Sequence, residues 1–169
     1  MSLSMKEKEL AAVGISVAAG CRPCTNYHLR EARQAGAGEE EIRRAGEIAV
    51  AVRHQAAEVM AAHLLGQLGE AAAAKPGAEM AAFSRIDRLA AIGSAFAVNC
   101  PATLKAHLAA GGKFGLTQGE SEEIAKLATF IRGKAISHVE KLIPRPEEEE
   151  SEGKPEPGKP AGCFAMNCC

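Results

Sequence analysis

The sequence predicts an all-α fold of two helical repeats followed by a disordered C-terminal tail. Three observations carry this. The 169-residue chain is 47% hydrophobic, yet only 4% is aromatic and it has no tryptophan. An alanine-rich, aromatic-poor composition favours closely packed helices over strands. The chain also repeats itself. Leu10-Ala11-Ala12-Val13-Gly14 matches Leu89-Ala90-Ala91-Ile92-Gly93, Cys21 matches Cys100, His28 matches His107 and Gly36 matches Gly115, all at an offset of 79. After Gly115 the second copy gains three residues, so Ile42 falls opposite Ile124. An ungapped match through a helix, a junction and a second helix marks two copies of one unit. Finally, the character changes at Pro144: Arg145 to Pro160 is Pro, Glu, Lys and Gly with almost no apolar content, which cannot build a core.

Each element follows from period and punctuation. Residues 5–19 read as a helix with Leu10, Val13 and Val17 on one stripe. Gly20 breaks it. A second helix starts near Cys21 and runs to Ala35, with Gly36 at its C-terminal cap. Glu39-Glu40-Glu41 suit the first turn of a third helix, where the dipole favours acids. Its core stripe is Ile42, Ala45, Ala49, Val52, Ala56 and Val59. Residues 70–78, with Lys75-Pro76-Gly77, form a linker. Helices near 80–98, 101–112 and 119–142 build the second copy, with Pro101 in the first turn of its helix. The predicted organisation is therefore a first repeat over 1–75, a degenerate second repeat over 76–143 and a tail over 144–169.

The bulk numbers narrow the function. A net charge of -1 and a pI near 6.5 give no basic surface for nucleic acid or anionic membrane. No uncharged apolar stretch reaches the roughly 18 residues of a spanning helix. Met1–Leu10 carries charges without a following apolar region, so no secretory signal is expected. The six cysteines are a tight pair, a single residue at Cys100 and three in the last seven positions. That is not a disulfide framework, and a CxxC in such a chain reads as cytoplasmic redox or metal chemistry.

Glu9, Cys21, Cys24 and His28 are the residues on which chemistry is expected. Two thiols three apart can close a small disulfide ring. Cys21 falls at a helix N-terminus, where unpaired N–H groups and the dipole favour a thiolate. His28 lies four residues after Cys24 on the same helical face and can take its proton. Glu9, on the preceding helix, can hold the imidazole in one tautomer. In the second copy Cys24 is opposite Thr103 and Glu9 is opposite Arg88, so that copy cannot close a CxxC disulfide. A zinc reading needs four ligands, and Cys21, Cys24 and His28 leave a fourth only from Glu9 or the tail. No metal ligand set and no cofactor is therefore expected.

The pattern Glu-x11-Cys-x2-Cys-x3-His, followed by Ala35-Gly36-Ala37 and an acidic helix start, resembles the alkylhydroperoxidase D and carboxymuconolactone decarboxylase family. The resemblance covers residues 5–65 well and 80–142 as a decayed copy. It implies an all-helical fold that assembles into rings, trimers or hexamers. It also implies thiol-dependent reduction of a peroxide or a disulfide, with an external thiol or dithiol as electron donor. Cys24 takes the attacking role, Cys21 the resolving role, and Glu9 and His28 the proton relay. The chain departs from the pattern in carrying Pro23 before Cys24 and in holding the dithiol in its first repeat. The competing enzyme is a lactone decarboxylase, for which both thiols would be idle. The non-enzyme alternative is a metal-binding or redox-sensing thiol protein.

The remaining residues are weaker. His54 can line a pocket or stay at the surface. His63 and His138 read as ordinary helix residues, and Cys100 with His107 as a relic. Tyr27 can cover the site or simply pack. Cys163, Cys168 and Cys169 end a linker of about twenty residues, which spans about 25 Å. They suit a thiol arm that exchanges with Cys21, a soft-metal trap, a lipidation signal or a tail without a role.

Overall fold

A computed structural model of the chain describes residues 2–70 and 83–144. Among them are six helices and no strand: α1 (Met5–Ala18), α2 (Arg22–Gln34), α3 (Glu39–Gln67), α4 (Arg85–Ala97), α5 (Pro101–Lys113) and α6 (Gln118–Glu140). The all-helical expectation holds. Most of the linker and the tail with its three cysteines lie outside the described residues.

Helix ends follow local chemistry. Ser4 caps α1 and Glu7 bonds back to the Ser4 N–H; Ser84 with Asp87 and Thr117 with Glu120 repeat this box on α4 and α6. The fourth helix therefore starts at Arg85, not near residue 80, because Ser84-x-x-Asp87 satisfies its first N–H groups there. At the end of α1, Gly20 takes φ +71° while its N–H and that of Cys21 bond back to Val17 and Ser16. Asn99 holds the equivalent place after α4 with φ 56°, the same two backbone bonds being made to Phe96 and Ala95. Asparagine is among the few residues with a side chain that tolerate this region.

α1 and α4 are the central pair. The expected single stripe on α1 is too narrow: every residue from Leu10 to Ser16 is buried, and Val17 is half-buried. α4 is enclosed likewise from Asp87 to Ala95. Small residues make this possible. A Cβ at Gly93 would lie 2.6 Å from Ile15 Cγ1, and one at Gly14 would lie 3.2 Å from Ser94 Oγ. The central helices thus meet at the matching glycines of the two copies.

The outer helices cross over between copies. One core cluster joins α1 and α4 to α6 through Ile15, Ile92, Ile124 and Ile131, and it includes Cys21 and Cys24. The other joins them to α3 through Val13, Ile42, Ile48 and Val52. The α3 stripe is buried as far as Ala56, but Val59 is only half-buried and Met60, Leu64 and Leu68 are exposed.

Candidate functional site

Cys21 is the N-cap of α2. Its Sγ accepts the Cys24 N–H at 3.2 Å, and the Thr25 hydroxyl donates to its carbonyl at 2.9 Å. Arg22 and Pro23 fill the first two helical positions, where proline's missing N–H costs nothing. This geometry brings Cys24 back over Cys21, and the two form a disulfide. Both cysteines are buried.

One turn further along α2, the His28 ring Nδ1 lies 2.8 Å from Glu9 Oε2. Glu9 comes from α1, folded back by the turn at Gly20. With Nδ1–H donating to the carboxylate, Nε2 becomes the lone-pair nitrogen of the ring. His28 is buried and Tyr27 stands edge-on to it at 5.0 Å between centroids, itself half-exposed. The four residues singled out in the sequence therefore lie on α1 and the first two turns of α2, in two bonded pairs.

His138, expected as an ordinary helix residue, lies beside the dithiol: a ring nitrogen and the Cys21 and Cys24 Sγ atoms all lie within 4.8 Å of one another. It is exposed, in the last turn of α6. Its place in the repeat gave no warning, since the offset on the third helices sets it opposite Ala56. Only the crossing of α6 onto the first copy's cysteine turn makes it visible.

The second copy keeps the scaffold but neither the thiol pair nor the carboxylate. Cys100 caps α5 but its Sγ lies 3.1 Å from Thr103 Oγ1, the counterpart of the missing thiol. His107 stacks on Phe83, and neither of its ring nitrogens has a hydrogen-bond partner. Arg88, fully buried in place of Glu9, sits between the Phe83 and Phe114 rings at 4.8 and 4.9 Å. Burial first, and then the charge of Arg88, push the His107 pKa down to about 4. A cavity of about 370 Å³ beside Cys100 is lined by Ala18, Arg53, Ala56, Met60 and Asn99. His54 lies exposed in a separate groove beside Val17 and Glu47, and His63 is exposed. Among the described residues, no helix is long and apolar enough to cross a membrane.

Residues 1–67 match the model of the carboxymuconolactone decarboxylase family, a span that ends with the last residue of α3. No curated protein and no solved structure matches the chain. Over residues 1–67, the helical unit that carries the dithiol is thus similar to the carboxymuconolactone decarboxylase family.

Proposed function

We propose that the chain is a thiol-dependent oxidoreductase of the alkylhydroperoxidase kind, acting in the cytoplasm on a peroxide or a disulfide. The observation that carries this is the disulfide-closing pair at the α2 N-terminus with a carboxylate-oriented imidazole one turn away. In the reduced chain, His28 takes the Cys24 proton through Nε2, and Glu9 stabilises the imidazolium. The Cys24 thiolate attacks the peroxide oxygen and the O–O bond breaks. The alkoxide leaves with the proton from His28, and Cys24 becomes a sulfenic acid. Cys21 then displaces hydroxide, which leaves as water, and the disulfide forms. An external dithiol restores both thiols and is itself oxidised.

Cys24→Ser should abolish peroxide turnover, and Glu9→Gln should slow it by roughly 10²-fold or more while leaving the fold intact. Full turnover in Cys24→Ser would overturn the assignment. The family's decarboxylase members motivate a second reading, since the match is to that family. Undiminished activity on a carboxymuconolactone in Cys21→Ser/Cys24→Ser would favour it. Assembly into a trimer or hexamer belongs to the same proposal. Met60 and Leu64 on α3, Leu68 at its C-cap, and Ile136 and Val139 on α6 are exposed apolar side chains that a contact between copies would cover.

A further inference from the structure

The meeting of Cys21, Cys24 and His138 has a chemistry separate from peroxide turnover. Two thiolates and one imidazole are the donors that zinc-class and softer cations select. In a tetrahedral site, metal–sulfur bonds of about 2.3 Å and metal–nitrogen bonds of about 2.0 Å set the ligand atoms roughly 3.5–3.8 Å apart. The three atoms here already lie within 4.8 Å of one another. Breaking the disulfide lets the sulfurs separate to that spacing. Two thiolates neutralise a divalent cation, and the α2 N-terminus and its Cys24 N–H stabilise them. His138 sits at the opposite pole, in the last turn of α6, where the helix dipole favours positive charge. It is exposed, which gives a cation a way in.

The repeat supplies an independent argument. Each cysteine turn faces the third helix of the other copy: Cys21 meets His138 of α6, and Cys100 shares its cavity with Ala56 of α3. His138 and Ala56 are equivalent positions. The imidazole is therefore present at the turn that keeps both thiols, and absent at the turn where Thr103 has replaced one.

We propose that Cys21, Cys24 and His138 of the reduced chain form a three-ligand site for a zinc-class divalent cation, with a fourth position open to water, and that the disulfide abolishes it. An external dithiol gives two electrons to the Cys21–Cys24 bond and becomes a disulfide, leaving two thiols. The cation then displaces two protons and forms two metal–sulfur bonds and one metal–nitrogen bond. The site rests on reducibility of the pair and not on peroxide turnover, so either proposal can fail alone.

The test uses the full chain carrying Cys163→Ser, Cys168→Ser and Cys169→Ser, reduced with a phosphine under anaerobic conditions and titrated with Co²⁺. The expected result is one Co²⁺ per chain, with thiolate-to-cobalt charge transfer and intense tetrahedral visible bands. His138→Ala should weaken binding at least about 10-fold and change those bands, Cys100→Ser should change nothing, and the disulfide form should bind none. His138 is exposed, so its substitution does not threaten folding, and helicity by circular dichroism checks this. Absence of Co²⁺ binding by the reduced chain would overturn the proposal. So would equal affinity in His138→Ala, or equal binding by the oxidised chain.

Discussion

Single substitutions separate two turns that share a backbone. Glu9, Cys24 and His28 in one copy stand against Arg88, Thr103 and His107 in the other. The carboxylate that orients one imidazole is replaced by a cation that helps keep the other neutral. The depressed His107 pKa has a direct consequence for stability. In the unfolded chain His107 takes up a proton near pH 6.5, while in the folded chain it resists protonation to about pH 4. The unfolded state therefore binds more protons between these values, and stability falls as the pH drops through that window. The loss should reach roughly 1–2 kcal/mol by pH 5, and His107→Phe, which keeps a ring against Phe83, should flatten this slope. Urea unfolding at pH 7 and pH 5 checks it; an unchanged slope in the variant would assign the effect elsewhere. The pairing of Cys21 with Cys24 and of His28 with Glu9 was legible because it follows from their spacing along the first two helices. His138 was not, because a histidine on an amphipathic helix carries no mark of which neighbour it meets.

Helices α1 and α4 are short on bulk and enclosed on all sides, and their closeness depends on glycine. Gly93→Ala places a methyl against Ile15, whose Cγ1–Cδ1 arm must move, so it should cost about 1–3 kcal/mol. Ile15→Val should relieve part of the clash, making the double variant less destabilised than the sum of the singles. Additive losses in a thermal or urea double-mutant cycle would show that the two helices do not bear on each other there. The repeat predicted both helices and their equivalence. It did not predict that they would be buried all round, because the apolar stripe is diluted by alanines and glycines that count for little in hydrophobic periodicity yet permit close approach. Boundaries erred for a similar reason. The α4 start was set by the apolar pattern, whereas Ser84 and Asp87 decide it through hydrogen bonds. Arg85 at that start binds both Glu7 of α1 and Glu120 of α6, tying three helices at one end of the bundle.

The helices of the described residues interlock by exchange: α6 closes over the turn of the first copy and α3 over that of the second. Both outer helices run on past the core and leave apolar side chains exposed. If these faces join copies of the chain, light scattering should report a trimer or hexamer, and Met60→Glu with Leu64→Glu should reduce it toward monomer. A monomeric parent chain at micromolar concentration would contradict the assembly. The composition and the repeat announced a helical two-copy molecule, but the crossing of copies has no sequence signature, since either third helix offers the same stripe to either turn. The decisive experiment concerns the dithiol. Anaerobically reduced protein receives one equivalent of an organic hydroperoxide, and its thiols are then mapped by peptide analysis. The expected outcome is rapid formation of the Cys21–Cys24 disulfide, reversed by a dithiol. If both cysteines stay reduced while the hydroperoxide survives, the oxidoreductase reading is wrong.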